Sequence, residues 1–304
     1  MARSSLDRQF DRILAKEEAG LLSSRRGSRA LRKLLANHLA VVGLIIFGVI
    51  LLASIFAPLL TQYDPLKIDL RAILQPPSAE HWFGTDTTGR DVFARVLYGG
   101  RISILVGLGS ALIAAVIGVG IGCYTGYKGG WVDVIAMRIS EIFMSFPQII
   151  LVLLLVSIVG QSLLNLIVIF VASGWGTMFR MSRAKMLSLR EEEYVQALKS
   201  FGLSTARICY KHILPNALGP IMVNITLTTA MFILAEAGLS FLGLGVPLNI
   251  PTWGNILNVA QDLRVLQNNW WMWLPVGLTI SLFVLSVNFI GDGLRDSTDP
   301  SQQG

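Results

Sequence analysis

Charge is scarce in this sequence: Asp, Glu, Lys and Arg make up 14% of 304 residues, against 53% hydrophobic ones and a mean hydropathy of +0.61. One soluble core of this length cannot hide that much apolar surface, so a water-soluble globular domain is excluded and the chain belongs in a bilayer. Cysteine is as rare. Cys123 and Cys209 are the only two, and both fall towards the inner side in the topology derived below, so each reads as a small, buried or half-exposed thiol without a disulfide or redox role. The three histidines, His38, His81 and His212, stand in separate regions, which argues against a histidine-based reaction centre. The chain also lacks HExxH, GxSxG, GxGD and any cysteine-histidine cluster with metal spacing, so no catalytic set, resident metal or cofactor is expected. Without GxxxxGK[ST] it cannot hold ATP in the P-loop manner by itself.

What the sequence does have is long apolar runs. About 30 Å of hydrocarbon takes about 20 helical residues, and six stretches qualify: 39–60, 102–124, 134–159, 163–181, 217–244 and 273–290. The expected fold is therefore all-α and polytopic, with about six transmembrane helices. Of the 25 Lys and Arg, 19 lie in segments that are inside if the N-terminus is inside, and 6 lie outside. The positive-inside bias thus places both termini in the cytoplasm. Residues 1–38 form a basic segment read as part of an uncleaved signal anchor. Leu6, Phe10, Ile13 and Leu14 recur there at helical spacing among Arg8, Arg12 and Lys16. That pattern fits a helix on anionic headgroups or against a partner, and equally a solvated basic tail. The basic residues adjoin a span and belong to no recognition module, so nucleic acid is not an expected partner.

Residues 61–101 make the largest outward loop, broken at Tyr63-Asp64-Pro65 and Pro76-Pro77. Thr88 and Asp91 have capping-box spacing, and Val92, Phe93, Val96 and Leu97 follow on one side, so a short amphipathic helix is expected to run along the surface into the second span. Asp86 and Asp91 are hard oxygen ligands, yet turn and cap chemistry explains them better than a cation cage with so few donors.

The polar insert at 182–216 is the other distinctive feature. Ser188 with Glu191 has capping-box spacing, Glu192 and Glu193 suit the positive end of a helix, and Tyr194, Ala197, Leu198 and Phe201 form one apolar face. Gly202 can supply the positive φ that stops this helix. A second helix is expected from a Ser204 cap, with a Leu203–Ile208 staple and Pro215 beyond its last turn. The pair reads as a rigid knob.

The string FGTDTTGRDVFARVLYGGRISILVG at 83–107, together with GLSFLGLG at 238–245, Trp253-Gly254, and GDGLRD at 291–296 followed by Asp299-Pro300, resembles the C-type permease subunit of the dipeptide, oligopeptide and nickel branch of ABC importers. The likeness runs from the first span to the end of the chain. It implies the type I importer permease fold, a bacterial inner-membrane location, and these partners: a second homologous permease subunit, two ATP-binding subunits and an extracytoplasmic substrate-binding protein. In that family a loop with the pattern Glu-Ala-Ala, three residues, Gly, nine residues, Ile-x-Leu-Pro docks in a cleft of the ATPase. The matching residues here are Gln196, Ala197, Leu198, Gly202, His212, Leu214 and Pro215, and Glu193 stands beside them in the same helix. Gln196 in place of Glu removes a charge from that pattern. The implied cargo is a dipeptide or oligopeptide, with nickel or a metal chelate as the alternative.

Gly118, Gly122, Gly126 and Gly130 repeat every four residues, a spacing that lets helix backbones approach in lipid. Trp270, Trp271 and Trp273 suit an outer aromatic belt, and Arg180, Arg183 and Lys185 an inner snorkelling ring. Arg138 and Glu141, three apart inside the third run, can neutralise each other. Glu236 in the fifth span must face protein or water: it lines a pathway or bonds a neighbouring helix. Asn165, Asn224 and Asn288 are read as helix glue. An ATP-independent secondary transporter would want more than this single intramembrane carboxylate. The chain divides into 1–38, a first span at 39–60, the loop 61–101, a five-helix permease core at 102–292 and a tail at 293–304.

Overall fold

The computed structural model describes residues 31–298. The basic repeat read at 6–16 and the Asp299-Pro300 end of the last motif lie outside them. Among the described residues five helices are long and apolar enough to cross a membrane, or six if one bent pair is a single span. In chain order the main elements are α1 (His38–Ile55), α2 (Val92–Lys128), α3 (Gly130–Met144), α4 (Gln148–Val159), α5 (Leu163–Leu189), α6 (Glu193–Ser200), α7 (Thr205–Phe241), α8 (Trp253–Leu257), α9 (Leu263–Asn268) and α10 (Trp270–Ser297).

Each end of α1 is closed by a polar side chain. Asn37 accepts from the Leu39 and Ala40 amides at 3.0 and 3.2 Å, and its own amide donates to Asp296 at 3.1 Å, tying α1 to the end of α10. At the far end the Arg101 guanidinium donates to the Ser54 and Ile55 carbonyls at 2.7 and 2.5 Å, satisfying acceptors that α1 leaves open.

Some boundaries differ from the sequence expectation. The short surface helix does run into the second span, α2 being unbroken for 37 residues from Val92. Gly99 and Gly100 do not interrupt it, because they let Trp253 and Ser54 come close. A wide π turn at Leu105–Gly109 lies within it. The third run is not one straight span, since α3 and α4 meet at 86° across Ser145–Pro147. Pro147 has no amide to continue the ladder and disfavours helical geometry at Phe146. Within the insert expected at 182–216, α5 continues to Leu189 and α7 starts at Thr205, so that only 190–204 lies between the two long helices. The last helix carries on to Thr298, half-way through the expected tail.

Small residues govern the closest packing. Gly118, Gly122 and Gly126 of α2 lie on α5, where a Cβ on Gly122 would stand 2.6 Å from the Phe179 carbonyl and one on Gly126 3.0 Å from that of Arg183. Gly130 leaves the repeat; it has φ +75° and open space around it at the start of α3. Arg183 makes a bidentate pair with Asp133 of α3 at 2.5 and 2.5 Å. Trp271, expected in an interfacial belt, donates instead to the Thr85 carbonyl at 3.2 Å. Elsewhere the core is aromatic: Phe170 of α5 stacks on Phe232 of α7 at 4.8 Å, and buried Trp253 meets Phe283 edge-on at 5.4 Å while donating to the Val96 carbonyl.

The loop before α2 is an ordered cap. Asp86, 2% exposed, accepts from Thr88, Arg90 and the 3%-exposed Arg95. Asp91 is the true N-cap of α2, accepting from the Ala94 amide at 2.7 Å and pairing with His81 at 2.8 Å, so Thr88 belongs to the Asp86 turn and the cap lies three residues later than expected. Gly89 is required: its φ is +77° and any Cβ would strike the Asp69 carbonyl.

Burial alone would push the Asp86 carboxyl upward, but Arg95, Thr88 and Arg90 together outweigh it and hold it below the ordinary 3.8. The stability it confers is therefore complete above that ordinary value and is lost as pH falls through the lowered folded one. Asp86→Asn, which strands buried Arg95, should cost about 3–5 kcal/mol at neutral pH, and thermal unfolding in detergent should show that the variant has lost the acid-side dependence of the parent. A packing counterpart is Gly122→Val, which should separate α2 from α5 and lower the yield of folded protein by size-exclusion chromatography.

Candidate docking site

Between α5 and α7 the chain makes a short hairpin whose only separate helix is α6. Expected capping by Ser188 and Glu191 is not made, because Ser188 lies within the last turn of α5, whose apolar period carries on through Met186 and Leu189. Glu192 occupies the N-cap without a side-chain bond, while Glu193 in the first turn and Lys199 in the last suit the helix dipole. Arg190 braces the entry, reaching the Gly126 carbonyl at 3.4 Å and Glu191 at 2.8 Å.

The stop is a Schellman motif. Gly202 has φ +75°, its amide bonds to the Lys199 carbonyl at 3.0 Å, and the Leu203 amide returns to Leu198 at 3.3 Å. Leu198 and Leu203 then pack in one cluster with Ile208, as the staple predicts. Ser204 stands at the N-cap of α7 but its hydroxyl makes no capping bond. Nor does a second short helix end before Pro215: α7 passes through a π turn at Ile208–Ile213, and Pro215 enters at the first turn of the α-helical stretch beyond it. Proline is tolerated there because the amides of a first helical turn need no partner within the helix.

The fully buried side chain of α6 lies beside the apolar face read in the sequence, of which Leu198 alone turns inward. Val195, 1% exposed, anchors it in a cluster with Cys123, Met186, Ile208, Cys209 and Ile213, and Leu198 is half-buried beside it. Tyr194, Ala197 and Phe201 point outward, with Phe201 66% exposed. Glu193 and Gln196 are exposed too, and the Gln196 amide donates to the Arg190 carbonyl at 3.1 Å. On α7, His212 and Leu214 are half-buried and Pro215 is exposed. Asn216 joins the helices by donating to the Tyr194 hydroxyl and the His212 carbonyl, each at 3.2 Å.

The hairpin thus brings together all the residues singled out for it, from Glu193 to Pro215. Sequence reasoning missed Val195 as the anchor, although its spacing to Leu198 was available as a signal, and missed Arg190 and Asn216 as braces. Glu236 is elsewhere. It is fully buried on α7, accepts from the Ser103 and Ser240 hydroxyls at 3.1 and 2.9 Å, and Ser103 in turn accepts from the Trp253 amide at 3.0 Å. Among the described residues no three Asp, Glu, His or Cys side chains converge as a metal-binding set.

Residues 118–303 match the family described as the binding-protein-dependent transport system inner membrane component, and residues 26–77 match the N-terminal TM domain of oligopeptide transport permease C. Similar proteins include the dipeptide transport system permease protein DppC of Alkalihalophilus pseudofirmus, 43% identical over 90% of each chain. The oligopeptide transport system permease protein OppC of Bacillus subtilis is 41% identical over 89% of this chain and 88% of that one. In fold, the chain is similar to a structure of the MetNI methionine ABC transporter in an inward-facing conformation, with a TM-score of 0.53 at 22% identity, covering 67% of this chain and 96% of that one. The chain therefore belongs to the inner-membrane permease components of binding-protein-dependent transport systems.

Proposed function

We propose that this chain forms half of the translocation pathway of an ATP-driven importer of dipeptides or oligopeptides, and that α6 with the start of α7 is the surface on which an ATP-binding subunit docks. The observation that carries the docking role is the division of labour on α6. Buried Val195 and the Gly202 stop hold the helix rigidly, while Tyr194, Ala197 and Phe201 are left outward as an apolar patch. A rigid helix displaying aromatic side chains suits insertion into a groove. The chain carries no P-loop, so the energy enters through a partner.

The arrangement calls for a second homologous permease to complete the path, two ATP-binding subunits below, and a substrate-binding protein outside that delivers the peptide. Both termini are placed in the cytoplasm by the Lys and Arg distribution. The neutral Gln196, already bonded to Arg190, leaves shape and apolar contact rather than an ion pair to hold the ATPase at that position. Peptide is preferred to nickel as cargo on the strength of the peptide transport named for the similar permeases.

Two variants test the docking role in the reconstituted importer. Gly202→Val forces a β-branched residue into positive φ, although the space around it is open, so insertion in the membrane should persist while peptide uptake per ATP hydrolysed falls at least about tenfold, a loss of about 1.4 kcal/mol in coupling. Phe201→Asp should weaken co-purification of the ATP-binding subunit and leave thermal stability within about 0.5 kcal/mol. Unchanged uptake and co-purification in both would refute the assignment.

A further inference from the structure

With both termini inside, as the Lys and Arg distribution places them, α1 ends on the outer side of the membrane. One further helical turn, Ala57–Leu60, follows it. There a hollow of about 470 Å³ opens, walled by residues 58–63 and, from the loop before α2, by Glu80, Trp82 and Phe93 among others. Aromatic rings give it a fixed shape. Trp82 lies against Phe93 at 5.0 Å, Phe83 meets Phe93 edge-on at 5.1 Å, and Tyr63 rests on the His81 ring at 4.8 Å. Trp82 is nevertheless 61% exposed, so part of its indole is left open. Aromatic side chains at headgroup level are common in membrane proteins, but a belt of rings needs no charge among them.

The charge in this hollow has one sign. Glu80 and Asp91 line it, and no Lys or Arg does among the described residues. Asp91 is committed to the Ala94 amide at 2.7 Å and to His81 at 2.8 Å. Glu80 is exposed and has no hydrogen-bond or ion-pair partner among the described residues. An ammonium group over an indole face is held by the ring quadrupole, and a neighbouring carboxylate adds a charge-assisted hydrogen bond. On the opposite wall the Gln62 amide and the Tyr63 hydroxyl are donors with no acceptor among the described residues. An apolar stripe leads away from the hollow. Ile45, Val49, Leu52, Phe56 and Leu59 recur at intervals of four and three, each at least 48% exposed, and Leu59 is both the end of the stripe and part of the wall.

We propose that this hollow binds the headgroup of an outer-leaflet phospholipid that carries a primary ammonium, the chemistry of phosphatidylethanolamine. The ammonium sits between the Glu80 carboxylate and the Trp82 indole, the phosphate takes hydrogens from Gln62 and Tyr63, and the acyl chains lie along the stripe of α1. Each part of the lipid meets a matching part of the protein. A phospholipid with a net negative headgroup would bring its charge beside Glu80 with no cation to receive it. A free peptide could offer the same ammonium, but the stripe would stay uncovered and no cationic side chain in the hollow would answer its carboxylate. The bound lipid joins the end of α1 to the loop that caps α2, and so fastens the first span to the rest of the molecule from outside. The site stands apart from the docking hairpin and requires nothing of it.

The test uses the full chain, purified with the subunits that accompany it, in phosphatidylglycerol nanodiscs. These carry a trace of photoactivatable lipid, with a diazirine near the glycerol end of one acyl chain and either an ethanolamine or a glycerol headgroup. Adducts are mapped by mass spectrometry of peptides after illumination. Labelling at 56–63 by the ethanolamine lipid should exceed that by the glycerol lipid at least about tenfold, through the ammonium contacts with indole and carboxylate. Adducts in the apolar groove at Ile113 and Ile117, read in the same sample, give the ratio for lipid without a headgroup site. Glu80→Gln and Trp82→Ala should each lower the preference at 56–63 at least about threefold. Both side chains are exposed, so thermal unfolding of either variant should match the parent. A ratio at 56–63 equal to that in the groove overturns the proposal, as does a preference that survives both variants. Labelling displaced by dialanine and not by phosphoethanolamine gives the ammonium site to a peptide and overturns the lipid. Absence of adducts at 56–63 from both lipids, in a sample whose groove is labelled, places protein on this face and overturns it too.

Discussion

Backbone contact between α2 and α5 is the constraint on which the rest of the molecule depends. In hydrocarbon there is no hydrophobic gain in bringing two apolar helices together, so association rests on close fit. Gly118, Gly122 and Gly126 remove the side chains that would hold the helices apart, and the Ser182 hydroxyl crosses to the Gly118 carbonyl at 3.4 Å. With that seam closed, Arg190 reaches Gly126 at the base of the hairpin and Arg183 meets Asp133 at the root of α3. One glycine stripe thus positions both the surface assigned to a partner and the root of α3.

The two ends of the molecule are stiffened by different chemistry. On the side of the loop before α2, charge is buried but fully engaged: Asp86 with Arg90 and Arg95, Asp91 with His81. Four residues of the GTDTTGRD string have a visible task there: Thr85 holds Gln75 and Ala72, Asp86 gathers donors, Gly89 makes room for Asp69, and Asp91 starts α2. At the hairpin the stiffness comes instead from apolar burial around Val195 and Ile208. Both regions offer fixed surfaces on opposite sides of a set of spanning helices.

Much of this was legible in the residues. Hydropathy marks the spans, Gly202 announces the end of α6 because little else accepts its backbone angle, and the four-residue glycine spacing anticipates the seam. What escaped has two physical causes. Local spacing is permissive: Ser188 and Ser204 stand where caps belong, yet the apolar period of α5 carries it past Ser188, and α7 begins without the help of Ser204. A window long enough to detect a span averages away a single Pro147, so the 86° break was invisible to it. Pairs such as Arg183 with Asp133 need the fold before they exist at all. Which apolar side of α6 turns inward was not legible for a related reason, because it is decided by Ile208 and Met186 on other helices.

The two π turns, Leu105–Gly109 in α2 and Ile208–Ile213 in α7, have a consequence for phase. Each is wider than an ordinary turn, and one extra residue rotates everything downstream by about 100° around the axis. In α7 the offset separates the azimuth of the hairpin from that of the inward stripe carrying Ile221, Ile233 and Glu236.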